Sequence, residues 1–318
     1  MLKQNNKIHV ALAFDENFLT PFYVLITSIF QNNQKNQIVF HTIAAGVSQP
    51  EKSRISRFVQ EHKGEIIFYE IDQKLVERFV LPEHIHFSAA TYYRLFFPEL
   101  VPPEIQKVLY IDTDIIVIGD LAELYNVDMQ ELPAAAVPDA KIPARPDLGI
   151  YTPGKYFNAG VLLINLALWN KQKISEKAIQ YLGEYPERIA WADQDALNAV
   201  LINNWLPVGN KFNVTFYDMP EYLPKKKFGE FLKDKVIVHY TTQNKPWMIS
   251  CTNRLRFLYQ YYLKLSPHAD KQKYTDLKTS TNLLFRLMRI RLKEFLIDYT
   301  QVFKILGKNT SAPKNLNS

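Results

Sequence analysis

Short apolar runs alternate with helical patterns over the first 120 residues, and this alternation restricts the possible folds more than any other feature. The apolar runs have the length and the β-branched content of buried strands, and they cover 8–14, 38–44, 65–71 and 107–111. Helical patterns lie between them at 22–30, 49–62 and 88–97. The first helix has a typical start at Thr20-Pro21, and Ser88 is expected to cap the third. The β-α-β-α-β order predicts parallel strands joined by right-handed crossovers, and therefore an α/β domain.

Beyond residue 120 the same kinds of element recur less regularly. Strands are predicted at 134–137, 160–164 and 235–239, and helices at 166–183 and 193–202. The segment 138–155 contains four prolines and is predicted to be a long loop. Long loops in compact domains often bind ligands, so we expect this one to help cover a binding site.

Composition excludes several classes of protein. Apolar residues make up 47% of the 318 residues, which is enough for a core and excludes a disordered, collagenous or low-complexity chain. No apolar run approaches the roughly 20 residues that span a bilayer. The polar start of the chain, residues 1–7, does not resemble a secretory signal. A single cysteine, Cys251, permits neither an internal disulfide nor a cysteine metal cluster, so we expect the chain to work in the reducing cytoplasm.

The positive charge of the chain is concentrated at its C-terminal end. Residues 271–318 hold ten Lys or Arg and three acidic residues, whereas 1–270 hold 28 bases and 29 acids. Apolar residues from 284 to 306 recur at steps of three and four with bases between them, which predicts a basic amphipathic helix. This helix could pack on the body with solvated bases, or lie on an anionic membrane surface. We expect a main domain at 1–265 and this tail at 266–318, and the neutral body argues against nucleic-acid binding.

Two aspartates follow the strand predicted at 107–111. Asp112 and Asp114 are one residue apart, so their side chains leave the carboxyl edge of the sheet in the same direction. Two like charges so close are costly unless a cation, usually a divalent ion, lies between them. Both could instead cap the next turn in solvent. The apolar runs on either side restrict access to water, however, and this favours the metal site.

A second polar group follows the strand predicted at 235–239. His239 could complete a metal site begun by the two carboxylates, and Lys245 could pair with phosphate oxygens. As isolated residues, either could also be structural or solvated.

Five blocks of the chain form a combination that is more specific than any one of them. They are Ala13-Phe-Asp15-Glu-Asn17-Phe18, Tyr110-Ile-Asp-Thr-Asp114, Tyr156-Phe-Asn-Ala-Gly-Val-Leu-Leu-Ile-Asn165, Ala192-Asp-Gln-Asp-Ala-Leu-Asn198 and His239-Tyr-Thr-Thr-Gln-Asn-Lys245-Pro-Trp247. In this order they resemble glycosyltransferase family 8, a retaining family that includes bacterial lipooligosaccharide galactosyltransferases. The resemblance spans 8–247, about three quarters of the chain.

The resemblance implies a GT-A type nucleotide-binding α/β domain, Mn²⁺ (with Mg²⁺ as the alternative) and a UDP-hexose donor. It assigns the metal to Asp112, Asp114 and His239, and uracil and ribose to Ala13, Asp15 and Asn17. Around the donor sugar or its diphosphate it places Arg94, Thr113, Asn158, Ala159, Asp193, Gln194, Thr242 and Lys245. His86 lies where relatives contact the acceptor, although it could equally be a solvent-exposed loop histidine.

The resemblance also implies a route for retention of configuration. Gln194 lies on the face where a retaining glycosidase has its carboxylate nucleophile, and an amide is a poor nucleophile. We therefore expect the acceptor hydroxyl to attack on the face from which UDP leaves, with Gln194, Asp193 and Lys245 as the catalytic residues. Thr242 replaces a glycine of the family's closing motif, which predicts a slightly altered phosphate contact.

Together these features predict a metal-dependent retaining hexosyltransferase that uses UDP-galactose or UDP-glucose and builds lipopolysaccharide or another cell-surface glycan. The basic tail would hold it on the inner face of the cytoplasmic membrane. The alternatives are a metal-dependent nucleotide-sugar hydrolase and a non-catalytic UDP- or glycan-binding protein. Neither the hexose nor the acceptor follows from the sequence.

Overall fold

A computed structural model describes residues 7–72, 89–142, 144–220, 222–241, 243, 245–271 and 281–299. Its strands, in chain order, are β1 (Lys7–Asp15), β2 (Gln37–Ala45), β3 (Glu65–Phe68), β4 (Lys107–Ile111), β5 (Ile115–Val117), β6 (Ala134–Pro138), β7 (Phe157–Asn165), β8 (Leu206–Pro207) and β9 (Ile237–His239). Its α-helices are α1 (Leu19–Asn32), α2 (Gln49–Glu61), α3 (Phe97–Leu100), α4 (Ala122–Tyr125), α5 (Leu166–Lys171), α6 (Ile174–Glu184), α7 (Asp193–Val200), α8 (Phe228–Leu232), α9 (Arg256–Leu265) and α10 (Thr281–Asp298).

The central sheet has seven strands in the order β3-β2-β1-β4-β7-β6-β8. The four strands of the N-terminal half are parallel, as the β-α-β-α-β order predicts. β7 enters between β4 and β6 and is antiparallel to both. β5 and β9 pair separately as a small antiparallel sheet beside the main one. The predicted α/β class with a mostly parallel central sheet is therefore confirmed.

Helices cover both faces of the sheet because the strands are apolar on both faces. Along β1, Val10 and Leu12 point into the cluster that includes α1 and α2, while Ala11 and Ala13 point into the cluster that includes α6 and α7. This alternation follows from the two-residue period of a strand. α9 packs in a third cluster against β5 and β9. Since β9 is anchored in this way, its last residue, His239, is held beside the end of β4.

Several predicted elements differ from the structure, including the first helix, which begins at Leu19 with Phe18 as its cap rather than at Thr20-Pro21. The segment predicted as a helix at 88–97 is a 3₁₀ helix, Ala89–Phe96, followed by the short α3, and Ser88 lies outside the described residues. The helix predicted at 166–183 is two helices, because Lys173 has φ 53°, a left-handed conformation that an α-helix cannot contain. The strands predicted to reach residue 71 and to start at 235 are shorter, ending at Phe68 and starting at Ile237.

Most of the described part of the C-terminal tail is α10, which packs against the body through ion pairs. Arg254 Nη2 lies 2.5 Å from Asp298 Oδ1, and Arg256 Nη1 lies 2.7 Å from Glu294 Oε1. The opposite side of the helix carries exposed apolar residues, namely Leu284, Phe285, Met288, Leu292, Phe295, Leu296 and Tyr299. Among the described residues, none of the helices combines the length and apolar character needed to cross a membrane. The division at 265/266 stays a prediction.

Candidate active site

A cavity of about 570 Å³ opens at the edge of the sheet where β4 ends. Parallel sheets bind ligands at this edge, and the two aspartates after β4 were predicted to lie there. Eight residues singled out in the sequence line the cavity: Arg94, Asp112, Asp114, Asn158, Asp193, Gln194, His239 and Lys245. The fold thus brings together blocks that are up to about 150 residues apart in the chain.

Asp112, Asp114 and His239 form a group that could hold a metal ion. One ligand atom from each residue can be chosen so that all three lie within 4.8 Å of one another. His239 Nε2 lies 3.1 Å from Asp114 Oδ1 and 3.8 Å from Asp112 Oδ2. Two carboxylates and an imidazole suit a divalent cation of the first transition row, so the residues fit the metal that the sequence predicts.

Buried Asn213, which the sequence analysis missed, fixes the orientation of the His239 ring. Asn158 Oδ1 accepts a hydrogen bond from Gly160 N at 3.1 Å, so the group of Asn213 that faces it, at 2.9 Å, is the amide Nδ2. Asn213 Oδ1 therefore faces His239 Nδ1 at 2.9 Å and accepts its proton. His239 Nε2 is the ring nitrogen left to face the two aspartates, and its lone pair is the one that a metal would take.

Gly160 leaves the space that the metal group occupies. A Cβ at this position would overlap His239 Cε1 and lie 2.6 Å from Asp112 Oδ2. Only glycine can therefore stand on β7 opposite the end of β4 without displacing a ligand. Gly160 lies in one of the five blocks that carry the family resemblance, but the sequence does not show which side chains it faces.

Lys245 sits against the metal group. Its Nζ lies 2.5 Å from Asp114 Oδ2 and donates to Tyr240 O at 2.7 Å. Burial acts to raise the pKa of Asp114, but Lys245 and His239 outweigh it and hold that pKa well below its usual range. Asp114 is therefore ionised at neutral pH, as a metal ligand must be.

Arg94 crosses the floor of the cavity between two carboxylates. Its Nη2 lies 3.1 Å from Asp112 Oδ1 and its Nε lies 2.6 Å from Asp193 Oδ2. Its Nη1 donates to Ala159 O, and the guanidinium lies 4.7 Å from the centre of the Tyr110 ring. Arg94 is thus held by the protein on several sides and connects the metal group to Asp193.

Asp193 and Gln194 begin α7 on the far side of Arg94. Burial raises the pKa of Asp193 to about 7, even though Arg94 acts to lower it. Gln194 Oε1 accepts from Ala159 N at 3.0 Å, and Gln194 Nε2 donates to Tyr156 Oη at 3.1 Å. Asp193 also starts a sequence, Asp193-Gln-Asp195, that would be a good helix cap, but it is the first residue of the helix and Ala192 occupies the cap position.

The loop expected to cover the site does reach it. Asp139, Lys141 and Ile142 line the cavity, and Asp139 Oδ2 accepts from Asn158 Nδ2 at 3.2 Å. β6 runs parallel to β4, because both are antiparallel to β7. Asp139, the residue directly after β6, therefore emerges at the same edge as Asp112. A polar residue shortly after the strand predicted at 134–137 is the sequence signal that could have identified Asp139.

The remaining predicted residues lie elsewhere or outside the described residues. Asp15 ends β1, and its Oδ1 accepts from Asn17 N at 2.9 Å. Ala13, Asp15 and Asn17 are not among the residues that line the cavity. Thr113 and Ala159 are buried and do not line it either. His86 and Thr242 fall outside the described residues. The nucleoside and acceptor assignments stay predictions.

Comparison with known proteins identifies the family. The model for glycosyl transferase family 8 matches residues 9–251. The chain belongs to this family. General stress protein A of Bacillus subtilis is 29% identical over 273 residues, which cover 82% of this chain and 95% of that protein. The lipopolysaccharide 1,3-galactosyltransferase of Salmonella typhimurium is 31% identical over 250 residues, covering 76% and 73%.

Solved structures agree on the fold. A crystal structure of the galactosyltransferase LgtC in complex with donor and acceptor sugar analogues has a TM-score of 0.70 and 23% identity, and the match covers 88% of this chain and all of that one. The family 8 chain therefore has the GT-A type fold that its sequence predicts. Membership of the family makes it a glycosyltransferase.

Proposed function

We propose that this family 8 protein is a metal-dependent retaining hexosyltransferase that moves galactose or glucose from a UDP-sugar to a glycan acceptor. One observation carries the proposal. A single cavity is lined by a group that could hold a divalent cation (Asp112, Asp114, His239), by the cation Lys245, and by the neutral polar side chains Asn158 and Gln194. A nucleotide-sugar needs both halves, because its diphosphate is anionic and its hexose is neutral and rich in hydroxyls.

Asp112, Asp114 and His239 would hold the metal, which we take to be Mn²⁺ or Mg²⁺. When bound, the ion would neutralise negative charge on the diphosphate as the glycosidic bond breaks. Lys245 would add a second positive charge to the leaving UDP. Lys245 already touches Asp114, so it can reach the diphosphate without a large movement.

Retention would follow from attack on the face from which UDP leaves. The acceptor oxygen bonds to C1 as the bond from C1 to the phosphate oxygen breaks, and the hydroxyl proton passes to the leaving diphosphate. The Gln194 amide is bonded at both ends, which suits an electrostatic contact with the sugar better than nucleophilic attack. Asp193 is ion-paired with Arg94 and would hold that arginine and bind sugar hydroxyls.

The names of similar proteins support the choice of hexose and acceptor. They include the lipopolysaccharide 1,3-galactosyltransferase and a lipopolysaccharide 1,2-glucosyltransferase of Escherichia coli, the latter 28% identical over 259 residues. We propose a glycan acceptor of lipopolysaccharide or another cell-surface polymer, and both hexoses remain open. Selection between them would depend on the contacts made to a single sugar hydroxyl.

UDP release with Mn²⁺ tests the proposal, with UDP-galactose and UDP-glucose compared side by side. Asp114→Asn should abolish release, whereas Asp234→Asn, an exposed aspartate paired with Lys235, should leave it unchanged. Equal release with and without a glycan acceptor, with free hexose as the product, would indicate the hydrolase. Binding of UDP without any turnover across a panel of acceptors would indicate the non-catalytic binding protein.

We further propose that α10 attaches the enzyme to the inner face of the cytoplasmic membrane. Its outer side combines exposed apolar residues with the exposed bases Arg286, Arg289 and Lys293. Apolar insertion plus charge attraction binds helices to anionic lipid. Leu292→Glu with Phe295→Glu should release the protein from anionic vesicles, and Tyr151→Glu, at another exposed aromatic, should not. Unchanged vesicle binding by the double variant would contradict this role.

A further inference from the structure

Asp195 is fully buried beside the cavity and does not line it. Its Oδ1 accepts from Tyr156 Oη at 2.6 Å and from Arg145 Nη1 at 2.5 Å. Its Oδ2 accepts from the backbone N–H groups of Ala190 at 2.6 Å and Trp191 at 2.7 Å. A carboxylate has about four lone-pair positions, so these bonds use its full capacity. Asp195 is therefore bound to the protein and not available to the sugar.

Arg145 uses its whole guanidinium to join three segments. Its Nε and Nη2 contact Asp147 at 2.9 Å and 2.7 Å, its Nη1 contacts Asp195, and its Nη2 also donates to Arg188 O at 2.8 Å. Arg145 belongs to the segment that reaches over the cavity, here named the cover segment (139–142 and 144–156). Asp195 belongs to the first turn of α7. One side chain thus ties the cover segment to the helix that carries the sugar-side residues.

Tyr156 transmits this connection to Gln194. Because Tyr156 donates its proton to Asp195, its oxygen offers only a lone pair to its other neighbour, Gln194 Nε2, at 3.1 Å. Gln194 Oε1 at the same time accepts from Ala159 N. The orientation of the Gln194 amide is therefore fixed by a chain of bonds that begins at Arg145.

We propose that Arg145, Asp195 and Tyr156 form a positioning network that aims Gln194 at the donor sugar and holds the cover segment over the cavity. This inference rests on the proposed function. None of the three touches the metal group, whose ligands lie in the turn between β4 and β5 and at the end of β9. Loss of the network should therefore reduce turnover while leaving metal and UDP affinity intact.

A double-mutant cycle tests whether Arg145 acts through Gln194. Arg145→Gln should lower kcat about 10- to 100-fold, because small displacements of positioned groups have effects of that size. In the Gln194→Ala background the same change should lower kcat less than about threefold, since the group that Arg145 positions is gone. Affinity for UDP with Mn²⁺, measured by calorimetry, should change less than about threefold. The proposal would be overturned if the kcat losses of the two single variants multiplied in the double variant, or if Arg145→Gln lowered UDP affinity as much as kcat.

Further variants separate positioning from general stability. Tyr156→Phe removes one oxygen atom and should reproduce the loss of kcat, which keeps the test valid if Arg145→Gln folds poorly. Arg145→Lys should not rescue activity, because an ammonium cannot bond Asp147, Asp195 and Arg188 O together. The matched control is Arg54→Gln, at an exposed arginine paired with Glu51, and it should leave kcat unchanged. Full activity of Tyr156→Phe would contradict the relay to Gln194.

Amide hydrogen exchange provides a readout that needs no turnover. Arg145→Gln should speed exchange at the Trp191 and Ala159 amides and within the cover segment, compared with wild type and Arg54→Gln. If wild type releases no UDP from either sugar, the proposed function fails, and the exchange result still decides the network. Unchanged exchange at these amides would overturn it.

Discussion

Gly160 shows how strongly a single atom can affect the metal group. We expect Gly160→Ala to weaken Mn²⁺ binding at least about tenfold, because the new Cβ must displace His239 or Asp112. The measurement is Mn²⁺ titration followed by electron paramagnetic resonance. Gly183→Ala is the matched control, because nothing lies within 4 Å of a Cβ built there on α6. Equal Mn²⁺ affinity of both variants would show that the group does not hold the ion.

Asn213 should be as important as a ligand although it does not face the metal position directly. Asn213→Ala removes the acceptor for His239 Nδ1, so the ring can rotate or change tautomer, and we expect Mn²⁺ affinity to fall about 10- to 100-fold. Asn33→Ala is the control, since it removes another buried amide, one that bonds Leu121 N. Both variants should lose stability, but only Asn213→Ala should lose metal affinity. A similar loss of Mn²⁺ affinity in both variants would show that Asn213 has only a structural role.

Residues at strand ends could be predicted, and those between elements could not. Asp112 and Asp114 follow the apolar strand β4 within three residues, and His239 is the last residue of β9, which pairs with β5 directly after Asp114. Asn213 follows a single turn of 3₁₀ helix, Asn210–Phe212, and has no periodic pattern around it. Its position depends on the chain path between α7 and β9. Only the folded structure supplies that path.

At the scale of elements, α10 is held to the body by charges that can be exchanged. Arg256→Glu or Glu294→Arg alone should lower the free energy of unfolding by about 1–3 kcal/mol, because each variant places two partly buried charges of the same sign side by side. The double exchange should restore part of that loss. Urea unfolding of the four proteins measures the coupling. Additive losses would show that α10 does not depend on this pair.

Elements with a regular apolar pattern were predicted well, whereas a break set by the backbone conformation of one residue was not. α1 has a continuous apolar run and α2 an amphipathic period, and both helices were predicted, although α1 begins at Leu19 rather than at Thr20-Pro21. The break between α5 and α6 depends on the left-handed backbone of Lys173, a residue type with no preference for it. Likewise, the antiparallel insertion of β7 between β4 and β6 is a matter of topology. An apolar run predicts a strand but not its neighbours.

At the scale of the whole molecule, two histidines at the other end of the sheet should make stability depend on pH. His41 Nε2 lies 2.9 Å from His9 Nδ1, and His41 Nδ1 lies 2.8 Å from Tyr69 Oη. Burial, and then the neighbouring His9, lower the pKa of His41 to about 4, whereas an unfolded histidine titrates near 6.5. Between these values the unfolded chain binds the proton and the folded one does not. Stability is therefore fully present above about pH 6.5 and falls as the pH drops toward 4.

The size of this effect can be isolated by comparing a variant with wild type. His41 alone should account for about 3 kcal/mol of unfolding free energy lost between pH 7.5 and pH 4. Asp193 acts in the opposite direction, because burial raises its pKa to about 7 and protonation relieves its buried charge. Urea unfolding compares wild type with His41→Gln across this pH range, and the contribution of Asp193 cancels because it is common to both proteins. The variant should lose less stability on acidification than wild type. The exposed His62→Gln should lose as much as wild type. Equal losses in all three proteins would mean that His41 accepts its proton in the folded state.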